Sequence, residues 1–302
     1  LLVLALVLVA GAVLAQVASR TVVGALESRG ALEELQRRWA ATSCQATLLA
    51  RAEKLLDDAE RGGASPNQSS RKYLRKPMRE LRTTIQLAGM DYDLVLTDEQ
   101  AKLNVNTLMA EADRASAQVA VARLVAQHDP TAAIDLQAIA SPEAGATSQP
   151  LPRIGAYAQV FGTASPERLL GSTESPGLAA EVTCWGDGKV NVRRAGAAAI
   201  REACDRIVPA GKVQELLAVR DRNPYARLPD MLVVLDKVDA GQRAKIAERL
   251  TDRSTCHGLW VIARNSQRSW CSLAVGAGGP EVAPPATAGQ APALLQRYEF
   301  WW

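Results

Sequence analysis

The sequence predicts an α+β fold: a long N-terminal α-helix packed on a small antiparallel sheet, with a large α-helical insertion. Three observations carry this. Residues 1–62 contain no proline and pass from a wholly apolar stretch into an amphipathic one. Beyond residue 80, short runs rich in β-branched residues alternate apolar and polar side chains between turn residues. One local pattern is written twice, "KLNVN" from Lys102 and "KVNV" from Lys189, each followed by an alanine-containing, helix-forming run. At 302 residues the chain is long enough for about two folded units.

The opening run "LLVLALVLVAGAVLAQVAS", Leu1 to Ser19, carries no charge, and Arg20 follows it. As a helix it is about 28 Å long, close to the hydrocarbon thickness of a bilayer. Residues 1–19 are therefore expected to be a transmembrane segment. The rival reading is a cleavable signal ending at Val13-Leu14-Ala15 before Gln16; the run is long for one and continues into a helix. From 20 to 62 the pattern predicts an amphipathic stalk. Its apolar residues Leu32, Leu35, Trp39, Ala46, Leu49, Ala52, Leu56 and Ala59 recur mostly at helical spacing and form one stripe. Leu32, Leu35, Trp39, Leu49 and Leu56 are the candidates for packing against partner helices. The same stripe must also cover the sheet, and the spacing does not divide the two tasks. A Gly/Ser/Pro loop at 60–70 ends the stalk.

The next elements follow in order. Residues 63–106 hold the first part of the sheet, with strands in "LRTTIQLAG" and "DYDLVLTDEQAKLNVN" and a turn at Gly89–Asp93. In "KLNVN", Leu103 and Val105 face one side and Asn104 and Asn106 the other, and Asn106 is placed to cap a helix from Thr107. Residues 107–177 form a first helical insertion, including short helices in "RIGAYAQVFG" and "SPERLLG". Residues 178–194 are a strand joint in which Asn191 repeats the alternation. Residues 195–250 form a second helical region, with a helix from Ala195 to Ile207 and two short helices around "RNPYARLP". Residues 251–302 return as strands: a hairpin about Asn265-Ser266, a Gly/Pro/Ala loop, and a last strand in "LLQRYEFWW". Asn104, Asn106 and Asn191 thus mark two strand-to-helix joints.

Composition offers little chemistry. A net charge of +3 makes no case for nucleic acid. The five cysteines show no CxxC; Cys184 with Cys204, or Cys256 with Cys271, are the pairings an oxidising compartment would allow. His128 and His257 stand far apart, without a nucleophile arrangement, and no phosphate loop or zinc motif occurs, so no enzyme is expected. No cofactor is expected either. Asp91, Asp93, Asp98 and Glu99 could offer oxygen ligands to calcium, but they lack the EF-hand spacing and read better as turn residues. The basic run from Arg71 to Arg82 reads as a solvated face before the sheet.

Together these pieces resemble a type IV pilin-like protein. "TDEQAKLNVNTL" resembles the acidic-x-Lys-x-Asn-x-Asn signature of the K-type minor pseudopilins of type II secretion systems. "EVTCWGDGKVNVRRAG" and "AVRDRNPYARLPDML" resemble that family's later segments, in the same order. The absence of an acidic residue before Glu27 also fits the K-type, and for this family a chain beginning at the apolar run is what removal of a basic leader by prepilin peptidase would leave. The resemblance implies a pilin-like domain in the periplasm, anchored in the bacterial inner membrane and sited at the tip of a pseudopilus with I-type and J-type partners. The family can bind calcium, but its ligands have no residue-by-residue match here. At the second joint Arg193-Arg194 replace the family's usual Asn-Thr, removing a helix cap. The alternative is a membrane-anchored DNA receptor of the competence type, whose helix-hairpin-helix unit residues 188–232 also resemble. Its hairpin here, "VPAGK", has one glycine where two are usual.

Overall fold

A computed structural model describes residues 2–62, 77–137, 153–205, 207–236, 238–264, 269–277 and 293–301. In chain order it contains α1 (Leu2–Leu49), α2 (Ala52–Glu60), β1 (Glu80–Leu87), β2 (Met90–Asp98), β3 (Leu103–Asn104), α3 (Val105–Glu111), α4 (Arg114–Val125), α5 (Ala158–Phe161) and α6 (Pro166–Leu170). Then come β4 (Val182–Thr183), β5 (Val190–Asn191), α7 (Ala197–Cys204), α8 (Ala210–Arg222), α9 (Leu228–Leu232), α10 (Ala240–Arg249), β6 (Leu250–Thr251), β7 (Cys256–Arg264), β8 (Ser269–Ala277) and β9 (Ala293–Trp301). The α+β class holds. α10 is a helix that the sequence reading left unresolved inside its second helical region.

One antiparallel sheet, in the order β1-β2-β7-β8-β9, organises the chain. Its first hairpin closes through Ala88 and Gly89 at φ 51° and 78°. Two successive positive φ values match the twist of the flanking strands, and glycine supplies one without strain. The turn is tighter than the predicted Gly89–Asp93, because β2 already begins at Met90. The predicted β7–β8 hairpin also forms, while its tip, 265–268, lies outside the described residues, as do most of the predicted loop at 60–70 and of the Gly/Pro/Ala loop before the last strand.

Strand alternation gives the sheet two faces, and both are covered. Tyr92, Leu94, Leu96, Leu259, Val261 and Trp270 pack on one side against Ala41, Cys44, Leu49, Ala52 and Leu56 of α1 and α2. On the other side Val95, Trp260, Ile262, Leu273 and Val275 pack against the helical insertions. This double burial explains why "CHGLWVIA" in β7 has no polar face: all eight of its residues are buried. Tyr157 of the first insertion seals this second core, its ring 4.8 Å from Trp185 and 6.1 Å from Trp260.

Three expectations need correcting. The joints are not strands of the main sheet. Each insertion instead leaves and returns through its own two-residue parallel ladder, Leu103-Asn104 beside Val182-Thr183 and Val190-Asn191 beside Leu250-Thr251. A parallel pair needs a long crossover between its strands, and each helical insertion is that crossover. The stalk is not one helix, because it breaks at Ala50-Arg51. The helix expected from Thr107 is two, α4 restarting behind Asp113, whose carboxylate accepts from Ser116 N.

The proposed disulfides do not form either: all five cysteines are free and buried. The β7–β8 register pairs Cys256 with Ala277 and Cys271 with Ile262, so the two thiols sit about 20 Å apart along the strands. Burial pushes the Cys204 thiol up to about 12 and raises those of Cys184, Cys256 and Cys271 further. Thiolate is the reactive form, so none of these groups should react from the native state. A chromogenic disulfide reagent at pH 7.5 is expected to count no thiol in the native chain and five in guanidinium. Rapid native reaction of even one would contradict this packing.

Candidate functional site: an exposed helix face and its polar anchor

At 1.5 Å per residue, the 48 residues of α1 make a rod of about 72 Å. Among its residues 14–40 none is buried; the first residue of the helix buried in the core it shares with the sheet is Ala41. Leu32, Leu35 and Trp39 are 54%, 57% and 70% exposed, whereas Leu49 and Leu56 are buried in the core. The five candidates therefore divide. Nine residues separate Leu32 from Ala41, two and a half turns, which sets the exposed line opposite the sheet-facing one. At 100° per residue, the sector containing Leu14, Val17, Leu32, Leu35 and Trp39 is about 160° wide and carries no charge from Leu14 to Ala50. Charges flank it in pairs, Arg29 with Glu33 at 3.1 Å and Arg38 with Glu34 at 2.6 Å.

The joints anchor this rod to the insertions through buried polar contacts. Asn104, not Asn106, caps α3, its side chain accepting from Asn106 N and Thr107 N. The helix starts two residues earlier than predicted, which moves the cap. Asn106 instead donates to Ile154 O and Cys184 O and accepts from Ile154 N, fastening the far end of the first insertion. Asn191 donates to Asp98 Oδ2 and Ser254 Oγ and accepts from Arg193 N. The duplicated asparagines thus serve the same purpose twice: a short amide satisfies backbone or carboxylate groups where a strand ends inside the protein.

Asp98 and Glu99, both fully buried, are committed to internal partners. Asp98 accepts from Gln100 N, Ala101 N and Ser254 Oγ. Glu99 holds Lys102 Nζ at 2.7 Å and accepts from Thr97, Tyr157 and Thr183. Asp91 is exposed, and Asp93 accepts from Thr84 Oγ1. The four carboxylates do not converge as calcium ligands. Among the described residues no group of three or more His, Cys, Asp or Glu side chains is placed to hold a metal ion.

The second joint holds what sequence reasoning missed. Arg194, its side chain fully buried, reaches four carboxylates: Glu53 at 2.5 Å, Asp57 at 2.7 Å, Glu60 at 2.8 Å and Asp98 at 3.3 Å. Arg193 adds contacts to Glu60 at 3.1 Å and Asp57 at 3.7 Å, and His257 Nε2 lies 3.2 Å from Glu53. The pair that removes a cap thus ties the end of the stalk to the second insertion. Glu53, Asp57 and Glu60 share one face of α2 at spacings of four and three, the signal that could have found this cluster. α7 starts at Gly196 without a side-chain cap, and only the charge of the nearby Glu181 carboxylate favours its positive end.

Burial alone would raise the Glu53 carboxyl, but the His257 hydrogen bond and the Arg194 charge outweigh it and bring the group down to about 2. A carboxylate depressed on folding stabilises fully above its unfolded value of about 4.3 and loses that contribution as pH falls toward the folded value. Urea midpoints are expected to fall between pH 4.5 and 2, with Glu53 alone accounting for about 3 kcal/mol. Glu53→Gln should flatten that part of the profile; an unchanged acid slope in the variant would count against the cluster.

Other candidates have structural partners. His128 Nε2 lies 3.2 Å from Glu181, which also binds Arg79, and Arg82 donates to Leu170 O and Gly171 O. The described end of the basic run thus binds the first insertion, and residues 71–76 lie outside the described residues. In the first turn of α8, where the "VPAGK" hairpin ends, Lys212 Nζ is engaged by Glu215 at 2.7 Å. The N-terminus of α10 is closed by Asp239, whose carboxylate accepts from Gly241 N and Gln242 N. A phosphate at that terminus would have to displace the carboxylate, whereas the N-terminus of α8, at the "VPAGK" hairpin, carries no side-chain cap at Pro209.

No protein-family model matches the chain, and no curated protein sequence matches it. Its fold is similar to that of a chain in the GspK-GspI-GspJ complex from the type 2 secretion system of enterotoxigenic Escherichia coli, with a TM-score of 0.50. The alignment covers 91% of this chain and 99% of that one at 16% identity. At that identity the likeness speaks for the fold, and there it agrees with the resemblance to K-type minor pseudopilins read from the sequence.

Proposed function

We propose that the protein is a minor pseudopilin, a non-enzymatic structural subunit at the tip of a type II secretion pseudopilus that initiates its assembly. The observation that carries this is the uncharged, exposed face of α1, turned away from the chain's own sheet along a rod that projects beyond the domain. Its exposed large apolar side chains, Leu14, Val17, Leu32, Leu35 and Trp39, offer a neighbouring helix of matching character a surface to cover. The likeness to a chain of a three-subunit secretion complex supports partners of the I and J types.

In this reading residues 1–19 hold the subunit in the inner membrane, with the remaining domain in the periplasm. Among the described residues no helix is long and apolar enough to cross a membrane, and the side chains of residues 1–13 are not among those described. The helical insertions, lying over the sheet face opposite the stalk, give bulk that would block addition of a further subunit. The test is co-expression with candidate I-type and J-type subunits from the same genome, followed by purification through a tag on this chain. A stoichiometric complex supports the reading. Recovery of the chain alone, or with salt-sensitive DNA, sinks it.

A further inference from the structure

The stalk breaks where its sequence gives no reason to. Ala50 and Arg51 are both strong helix formers, and no glycine or proline lies between Ala31 and Arg61. Yet Arg51 sits at φ −124°, ψ 14° and gives α2 no side-chain cap. Its N–H bonds Leu48 O, three residues back, and the ladder resumes only with Leu55 N to Arg51 O. Local preference favours one uninterrupted helix through Glu60, so something outside the segment must hold the break open.

The ionic cluster is what holds it. Every carboxylate on the inner face of α2, Glu53, Asp57 and Glu60, meets Arg194, and Arg193 and His257 add to the grip. Asp98 fixes Arg194 from the sheet side, and Tyr225 lies under Arg193 with the guanidinium 5.2 Å from its ring. We infer that the Ala50-Arg51 break is a hinge with two states: a clasped one, in which the Arg193-Arg194 cluster bends α2 away from the axis of α1, and a released one, in which α1 and α2 form one continuous helix. Ala52 and Leu56 are buried beneath α2, so the isolated chain rests in the clasped state. Removing the positive half of the clasp shifts the balance toward the continuous helix. This inference concerns the fold alone and stands whether or not the pseudopilin reading does.

Pulsed electron–electron distance measurements on the full chain in detergent test it, with spin labels at Ser28→Cys and Asp58→Cys. The native thiols are buried, which directs labelling to the introduced sites. A continuous helix sets the two backbone positions about 45 Å apart, and a bent one sets them closer. The wild-type distribution is expected to be single and shorter; Arg194→Met should add a component near the straight-helix value. Adding Arg51→Gly to that variant raises the cost of a continuous helix and should reduce the long component about fivefold. An unchanged distribution in Arg194→Met overturns the inference. So does broadening without a component near the straight-helix value, or a long component indifferent to Arg51→Gly.

Discussion

Replacing Arg194 by methionine is expected to lower stability by about 3–5 kcal/mol, among the largest single effects available in this chain. The physical reason is the company it leaves behind. Asp98 and Glu60 are almost wholly buried, and Glu53 and Asp57 lie close by. Without the guanidinium, four carboxylates share a space in which, among the described residues, Arg193 is the cation left beside them. Carboxylates so placed must take up protons or drag the surrounding structure toward water, and either route is costly. Burial would by itself lower the pKa of Arg194, but Asp98, Glu53 and Glu60 raise it further still, so the cation is firmly held. Lysine should recover only part of the loss. One ammonium cannot reproduce a fork whose Nε, Nη1 and Nη2 each meet a different carboxylate. Thermal melts of the three forms check this, with a fall of about 10 °C expected for methionine. A loss below about 1 kcal/mol would mean that the cluster is solvated and contributes little.

How much of this was legible in the sequence depends on the range over which each signal acts. The strands of the sheet, the β7–β8 hairpin and the short helices α5, α6, α8 and α9 follow from local alternation and turn residues, and they stand where expected. The joints were legible as a repeated motif but not in their bonding. Whether Asn104 or Asn106 caps a helix depends on where that helix starts, and two residues of error exchange their roles. The Arg194 cluster was illegible, because its members come from residues 53–60, 98, 194 and 257 and only the fold brings them together. Read alone, Arg193-Arg194 looked like the loss of a cap. The stalk stripe failed for a related reason. Spacing identified its apolar members but not where along the rod the sheet begins to cover them, so Leu49 and Leu56, buried in the core, could not be told from the exposed Leu32, Leu35 and Trp39.

That division makes the second large effect separable from folding. Trp39→Glu is expected to leave stability within about 0.5 kcal/mol of wild type, since a side chain 70% exposed gives up little on replacement. In the proposed assembly the same change sets a carboxylate in the middle of an uncharged helix face. Burying it against a partner's apolar helix leaves a charge without a counter-ion, and tryptophan at the centre of such a contact commonly carries 2 kcal/mol or more. Complex formation with the co-expressed pilin-like subunits should therefore weaken at least about 30-fold. Leu35→Glu, four residues back along the same face, should behave alike. Leu49→Glu offers the contrast: its side chain lies in the chain's own core, so that variant should lose stability and binding together. Titrating tagged wild-type and variant chains against the partners, beside urea melts of each, separates these patterns. If Trp39→Glu and Leu35→Glu bind partners as tightly as wild type, the exposed face of α1 is not the assembly surface, whatever the fold resembles.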